Sequence, residues 1–342
     1  MAKQLRTKPG AERTPFRPDV ILRFEVKNDI IPAVATSEQE YGDTEPGMRL
    51  LDYLFAVMPD RKRVTVKDYL KHNQVRVNAN TTRQFDQMLR PGDVVEVNAT
   101  REFQTLDSKR VSIVYEDDDI LVVNKGYGLL SVASDSNRKH ETAYSILRDY
   151  LKRVDPRQKL FIVHRLDQHT SGLMMFAKSA AAKETMQHNW NNMVLERRYV
   201  AVVEGRPDPA EGTVDTLLAE NSEHVVYSTD DPAEGKRAVT QYRTLRSGRG
   251  YSLVELQLST GRKNQIRVHM HDLGCPIAGD RKYGAESSPM HRVALHARTL
   301  RFVHPTTRRD MNFSTAVPAA FAKCVGGYNP KTDGLPFKQP LN

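Results

Sequence analysis

Short apolar runs recur through the chain from residue 113 onward, with turn residues between them. They are Ile113-Val-Tyr115, Ile120-Leu-Val-Val-Asn124, Leu173-Met-Met-Phe-Ala177, Tyr199-Val-Ala-Val-Val203, Ala238 to Tyr242 and Tyr251 to Leu258. Runs of this length, enriched in β-branched and aromatic residues, read as strands. The acidic turn Glu116-Asp-Asp-Asp119 joins the first pair, and Ser247-Gly-Arg-Gly250 joins the last. Hairpin connections of this kind favour a mixed, largely antiparallel sheet over a doubly wound parallel one. The expected fold class is therefore α+β. Two helices are read into this region, Ala180 to Asn191 with Ser179 as N-cap, and Lys263 to Leu273 ended by Gly274.

The first hundred residues follow a different pattern. Residues 1–45 read as an irregular extension and linker, broken by Pro9, Pro15 and Pro18, with one strand-like run from Val20 to Val26. Residues 46–100 read as a small α/β domain of two short helices followed by strand, turn and strand. Leu50, Leu51, Leu54 and Phe55 mark the first helix, and Val64 to Lys71 forms the second. Residues 101–320 form the larger unit, and 321–342 an extended tail. A chain of 342 residues matches about two domains at roughly 150 residues each.

The net charge of +9 and the pI near 9.4 point to a polyanionic partner. Between Met48 and Val97 nine Lys or Arg face six Asp or Glu, and Arg61, Lys62, Arg63, Lys67 and Lys71 sit on the helical part. Two cysteines, Cys275 and Cys324, are too few for a disulfide framework or a four-ligand zinc site. His269 and His271 are two apart on a helix and diverge, so no metal is expected. There is no G-x-G-x-x-G after a strand, no Walker A and no Cys-x-x-Cys, so no cofactor is expected either. No run of eighteen apolar residues occurs, and no apolar stretch follows the basic start. The expected setting is cytoplasmic, with no membrane contact and a monomeric chain.

The chemistry is carried by His164-Arg165-Leu166-Asp167-Gln168-His169-Thr170-Ser171-Gly172. A strand delivers a carboxylate into a turn rich in Thr, Ser and Gly, whose backbone is held by local hydrogen bonds. In an extended segment Arg165 and Asp167 share one face. An aspartate in such a turn could equally be a plain turn cap.

This segment resembles the signature of the RluA family of pseudouridine synthases. Four other segments resemble the family's motifs in the right order. They are Asn124-Lys125-Gly126-Tyr127-Gly128, Arg198-Tyr199-Val200-Ala201, Gly261-Arg262-Lys263-Asn264-Gln265-Ile266-Arg267 and Gly279-Asp280 with Tyr283-Gly284. Leu295-His296-Ala297 with His304-Pro305 completes the set, so the resemblance spans roughly residues 48–315. It implies that Asp167 is the catalytic aspartate, that Tyr199 packs against the target base, that Arg267 pairs with Asp167, and that Arg165 helps hold RNA where the uridine has left its stack. Two positions depart from the family pattern: Gly126 stands for the usual Pro, and Asn264 for the usual His.

Residues 46–100 resemble the S4-like RNA-binding module, through Val75-Arg-Val-Asn78 and Leu89-Arg-Pro-Gly-Asp93-Val94. That module is common in relatives acting on large-subunit ribosomal RNA, which favours ribosomal RNA as the partner, with transfer RNA the alternative. The implied reaction isomerises uridine after base flipping, with Asp167 either adding to C1′ or assisting removal of a ribose proton. Two rivals were weighed: an RNA-binding ribosome-assembly factor without turnover, and a carboxylate-dependent glycoside hydrolase. The latter needs a second acid opposite the first, and no motif supplies one.

Overall fold

In a computed structural model of the chain, the described residues are 20–27, 47–78, 80–133 and 140–329. They form two compact units with the boundary between Phe103 and Gln104. The linker read into residues 37–47 lies almost wholly outside the described residues, and so do residues 330–342 of the tail.

The first unit contains β1 (Ile21–Glu25), β2 (Met48–Arg49), α1 (Leu50–Val57), α2 (Arg63–Lys71), β3 (Val75–Val77), β4 (Asn80–Thr81), β5 (Met88–Leu89) and β6 (Val94–Asn98). Leu50, Tyr53 and Leu54 of α1 and Val66, Tyr69 and Leu70 of α2 bury one face of each helix. They pack on Val75, Val77, Val95 and Val97. The sheet order is β1-β6-β3-β4, with β2 and β5 paired separately. The sequence reading placed residues 20–26 in the extension. Instead, Ile21–Glu25 runs antiparallel to β6 and belongs to this sheet. The two sequence signals of this unit also meet. Asn78 Nδ2 donates to Asp93 Oδ1 at 2.7 Å, and Asn78 Oδ1 accepts from the Val94 N–H at 2.8 Å.

The second unit begins with β7 (Val111–Glu116), β8 (Ile120–Lys125), α3 (Ala143–Val154), β9 (Phe161–Ile162), β10 (Ser171–Ala177), α4 (Ala180–His188) and α5 (Trp190–Met193). It continues with β11 (Val194–Glu204), β12 (Glu211–Glu220), β13 (Val226–Thr229), β14 (Lys236–Gly248), β15 (Tyr251–Leu258), α6 (Gln265–Asp272), β16 (Leu295–Val303), β17 (Asp310–Ser314) and α7 (Ala319–Cys324). The eleven-stranded sheet has the order β13-β12-β14-β15-β11-β16-β10-β8-β7, with β17 on β16 and β9 on β10. The expected mixed, largely antiparallel α+β architecture is present. Among the described strands, the one parallel pairing is β10 with β16.

Several boundaries differ from the sequence reading for local reasons. Ser179 caps α4, its Oγ accepting from the Ala182 N–H, but Asn189 ends that helix and starts the short α5. Helix α6 starts at Gln265 because Asn264 is left-handed, at φ 54°. The first residues of the expected tail are not extended, since Phe321 to Cys324 lie in α7. The Phe321 ring is buried, and Val325 packs with it in the core.

The parallel seam depends on Gly172. A Cβ there would stand 2.1 Å from the Ala297 carbonyl oxygen, and its φ of +116° is one that side-chain-bearing residues rarely adopt. Gly172→Ala is expected to lower the melting temperature by roughly 5–15 °C, from strain and overpacking together. Gly250→Ala also has positive φ (+80°) but meets open space. It should cost distinctly less by thermal circular dichroism, and equal losses would show that the seam is not tightly closed.

Candidate active site

Asp167 sits in the loop that runs into β10, and two earlier segments hold that loop. Ser131 Oγ donates to the Leu166 carbonyl at 2.6 Å and accepts from the Leu166 N–H at 3.2 Å. The Gly128 N–H donates to the Gln168 carbonyl at 3.0 Å, and the Thr170 N–H closes the turn on the Asp167 carbonyl at 3.1 Å. Beneath it lies Lys125, fully buried, its Nζ donating to the carbonyls of Leu129 (2.8 Å), Gly126 (3.1 Å) and Gln168 (3.4 Å). Burial holds the Lys125 ammonium down to about 8, against the opposing pull of Asp167.

Gly126 is explained by the same contact region. Its N–H donates to the Arg110 carbonyl at 2.7 Å, and a Cβ would stand 2.7 Å from that oxygen. Proline there would lose the hydrogen bond and clash. The glycine therefore packs the turn closely and does not loosen it.

The four residues picked out from the sequence line one cavity of about 510 Å³. Arg165 is exposed, and Asp167 is partly buried. Tyr199 enters from β11 at a bulge, where β16 carries the extra residue Arg298 between the partners of Arg198 and Tyr199. Its ring packs against two core clusters, and burial raises its phenol above the usual range, keeping the hydroxyl protonated. Arg267 projects from the first turn of α6.

The sequence reading set Arg267 against Asp167. Its guanidinium instead makes a two-point ion pair with the buried Asp280, Nε to Oδ2 and Nη2 to Oδ1, both at 2.6 Å. Nη1 donates to Asn264 Oδ1 at 3.0 Å, and Asn264 Nδ2 donates to the Tyr283 hydroxyl at 3.0 Å. Arg267 thus reaches Asp167 through its field. Burial raises the Asp167 carboxyl above its ordinary value, opposed by Arg267, then Arg165, Lys125 and Lys263. Desolvation outweighs the four cations.

Sequence reasoning quoted Lys125 and Asp280 within motifs but gave them no role. Their acidic and basic character was visible, but the pairing across the fold was not. Among the described residues lining the cavity, Asp167 is the only carboxylate. The paired acids of a glycoside hydrolase are therefore missing from this cavity.

His164 is also part of the cavity wall. Its Nε2 accepts from the Met175 N–H at 3.0 Å, and burial lowers its pKa to about 3. Burial likewise lowers His269 and His296 to about 4. Each therefore takes a proton below about pH 6.5 in the unfolded chain that the native state refuses. Stability is full above that pH and falls on acidification by about 1.4 kcal/mol per pH unit for each histidine. The urea midpoint should drop between about pH 7 and pH 5, and a midpoint that holds or rises would contradict buried neutral imidazoles. Asp280→Asn should cost about 3–5 kcal/mol, because Arg267 is left buried and unpaired. Replacing both partners by Leu and Met should cost less in the same denaturation assay, and an equal loss would mean the pair is not electrostatically coupled.

The RNA pseudouridylate synthase family matches residues 119–272. YjbO of Bacillus subtilis (strain 168), an uncharacterized RNA pseudouridine synthase, is 36% identical over 246 residues, covering 71% of this chain and 86% of the relative. Ribosomal large subunit pseudouridine synthase D of Escherichia coli O6:H1 is 32% identical over 301 residues, covering 83% and 91%. The solved structure of human RNA Pseudouridylate Synthase Domain Containing 4 is similar with a TM-score of 0.52 at 26% identity, covering 63% of this chain and 91% of that one. The chain belongs to the RluA-type family of RNA pseudouridine synthases.

Proposed function

We propose that this enzyme isomerises uridine in large-subunit ribosomal RNA, with Asp167 as the nucleophile acting on a flipped-out nucleotide. The observation that carries this is a single carboxylate, ringed by Arg267, Arg165, Lys125 and Lys263, in a cavity that also presents Tyr199. A stacked uridine hides its glycosidic carbon, so the base must leave the helix before a side chain reaches it. Tyr199 would stack on the displaced base, an interaction worth about 1–3 kcal/mol. The exposed Arg165, next to the nucleophile, would hold the RNA where the base has left. The cations would draw the phosphate backbone in, and Arg267, fixed by Asp280, would favour the ionised form of Asp167 from which the reaction starts. Asp167 either adds to C1′ or assists removal of a ribose proton as the C1′–N1 bond breaks. The freed uracil then bonds to C1′ through C5, which releases the carboxylate or restores the ribose proton. C5 loses a proton while N1 gains one.

Ribosomal RNA is favoured by relatives named as ribosomal large subunit pseudouridine synthase D in Escherichia coli and Haemophilus influenzae. We further assign the first unit as an S4-like RNA-binding domain. Arg61, Lys62, Arg63, Lys67 and Lys71 are all exposed on or beside α2, where they would meet phosphates.

Pseudouridine mapping of total RNA from cells lacking the protein tests the reading. Specific large-subunit sites should vanish and return with wild type but not with Asp167→Ala, whose activity should fall below detection. Sites lost from transfer RNA instead would move the substrate. Restoration by Asp167→Ala would remove Asp167 from the chemistry.

A further inference from the structure

Trp190 lines the same cavity as Asp167 and Tyr199, yet the reaction just outlined gives it no part. It opens α5, is partly exposed, and is the only tryptophan in the chain. Its indole is held by two neighbours. The His164 ring lies at 5.1 Å between centroids with a 46° tilt, and the Arg197 guanidinium sits 5.8 Å from the ring centroid. His164 is itself locked through the Met175 N–H, so the indole rests against a fixed, neutral surface.

Arg197 lacks a counterion. Its Nη2 donates to the carbonyls of Thr260 at 3.2 Å and Leu258 at 3.5 Å, and among the described residues no carboxylate pairs with it. Gly261 makes room for this guanidinium, since a Cβ there would stand 2.8 Å from Nη1. Tyr199 acts electrostatically on Arg197, whereas the cations acting on Asp167 are Arg267, Arg165, Lys125 and Lys263. A desolvated cation without a carboxylate is a costly arrangement unless an anion completes it.

An aromatic face beside such a cation matches one nucleotide: base on the ring, phosphate on the guanidinium. We infer that Trp190 and Arg197 form a second nucleotide subsite, which takes the residue adjoining the target uridine in the RNA strand and stacks its base on the indole. This rests on the reading of Asp167 and Tyr199 as the uridine site. It makes the enzyme a reader of a dinucleotide step, with a preference for neighbours that stack well.

Because Trp190 is the only tryptophan, its fluorescence reports this subsite alone. The intact chain carrying Asp167→Asn, which blocks turnover, is titrated with uridine and with the dinucleoside phosphates UpA and ApU. One of the two dinucleotides should quench the emission, with a half-quenching concentration about 5- to 150-fold below that of uridine, the range expected of one stacked base. Arg197→Met should raise that concentration at least several-fold. Quenching by uridine as complete and as tight as by either dinucleotide would place the target base itself on Trp190 and overturn the inference. No quenching by any of the three would overturn it as well.

A kinetic readout on the mapped RNA complements the titration. Trp190→Ala should raise KM about 5- to 150-fold with little change in kcat, and Trp190→Phe should restore most of it. A fall in kcat with KM unchanged, unrescued by Phe, would mean that Trp190 only supports the loop of Asp167. Fluorescence does not depend on catalysis, so failure of the Asp167 chemistry would leave the quenching intact. Loss of quenching would likewise leave the assignment of Asp167 standing.

Discussion

The second unit depends on one close approach of two backbones, Gly172 of β10 against Ala297 of β16. The parallel pairing there covers only Ser171 with His296 and Gly172 with Ala297. Through it the β7-β8-β10 part of the sheet is continuous with the β16-β11-β15-β14-β12-β13 part. A side chain at position 172 would push these apart, so the glycine is a requirement of sheet closure and not of loop flexibility. The seam also brings the walls of the candidate site together. The loop carrying Asp167 enters β10 on one side of the junction, and Tyr199 stands on β11, paired with Ala297 on the other. Sheet continuity and site assembly are one constraint.

Around that seam, Arg267 and Lys125, two of the four cations near Asp167, are held by groups other than Asp167. Arg267 is clamped by Asp280 and Asn264, and Lys125 is saturated by three carbonyls. Neither can collapse onto the carboxylate and neutralise it. This arrangement leaves the Asp167 carboxyl raised by burial, with the positive field of the cations opposing that shift. A direct Arg267–Asp167 ion pair would have lowered the carboxyl and tied up one of its oxygens. The second carboxylate, Asp280, fixes Arg267 without lining the cavity.

The legible parts of this fold are those encoded locally. Leu173 to Ala177 and Ile120 to Asn124 read as strands from composition alone, and they pair residue by residue in the sheet. Asp167, Arg165, Tyr199 and Arg267 were identifiable through motifs and do meet in one cavity. What escaped was encoded at a distance or against pattern. Helix α3 is marked by Thr142, whose Oγ1 accepts from the Ser145 N–H, but no Glu or Gln completed the familiar capping signal. Strands β12 and β16 alternate polar and apolar residues only partly, and β16 pairs with three strands, β10, β11 and β17. The Asp280 partner of Arg267 lies thirteen residues on, beyond α6 and a turn, where no local periodicity reaches.

Asn264 shows why a departure from a family pattern need not weaken a site. The position is left-handed, a conformation that asparagine tolerates better than most residues because its short polar side chain bonds locally. Its amide then works in both directions at once, accepting from Arg267 Nη1 and donating to the Tyr283 hydroxyl. A neutral imidazole also offers one donor and one acceptor, but on a ring whose two nitrogens are fixed apart. The functional requirement at this corner is therefore a bifunctional polar group that orients Arg267 and Tyr283 together. The Arg267 guanidinium lies 4.7 Å from the Tyr283 ring centroid, so the two groups the amide joins also touch each other. With Asp280 accepting from Nε and Nη2 and Asn264 from Nη1, all three guanidinium nitrogens of Arg267 are held.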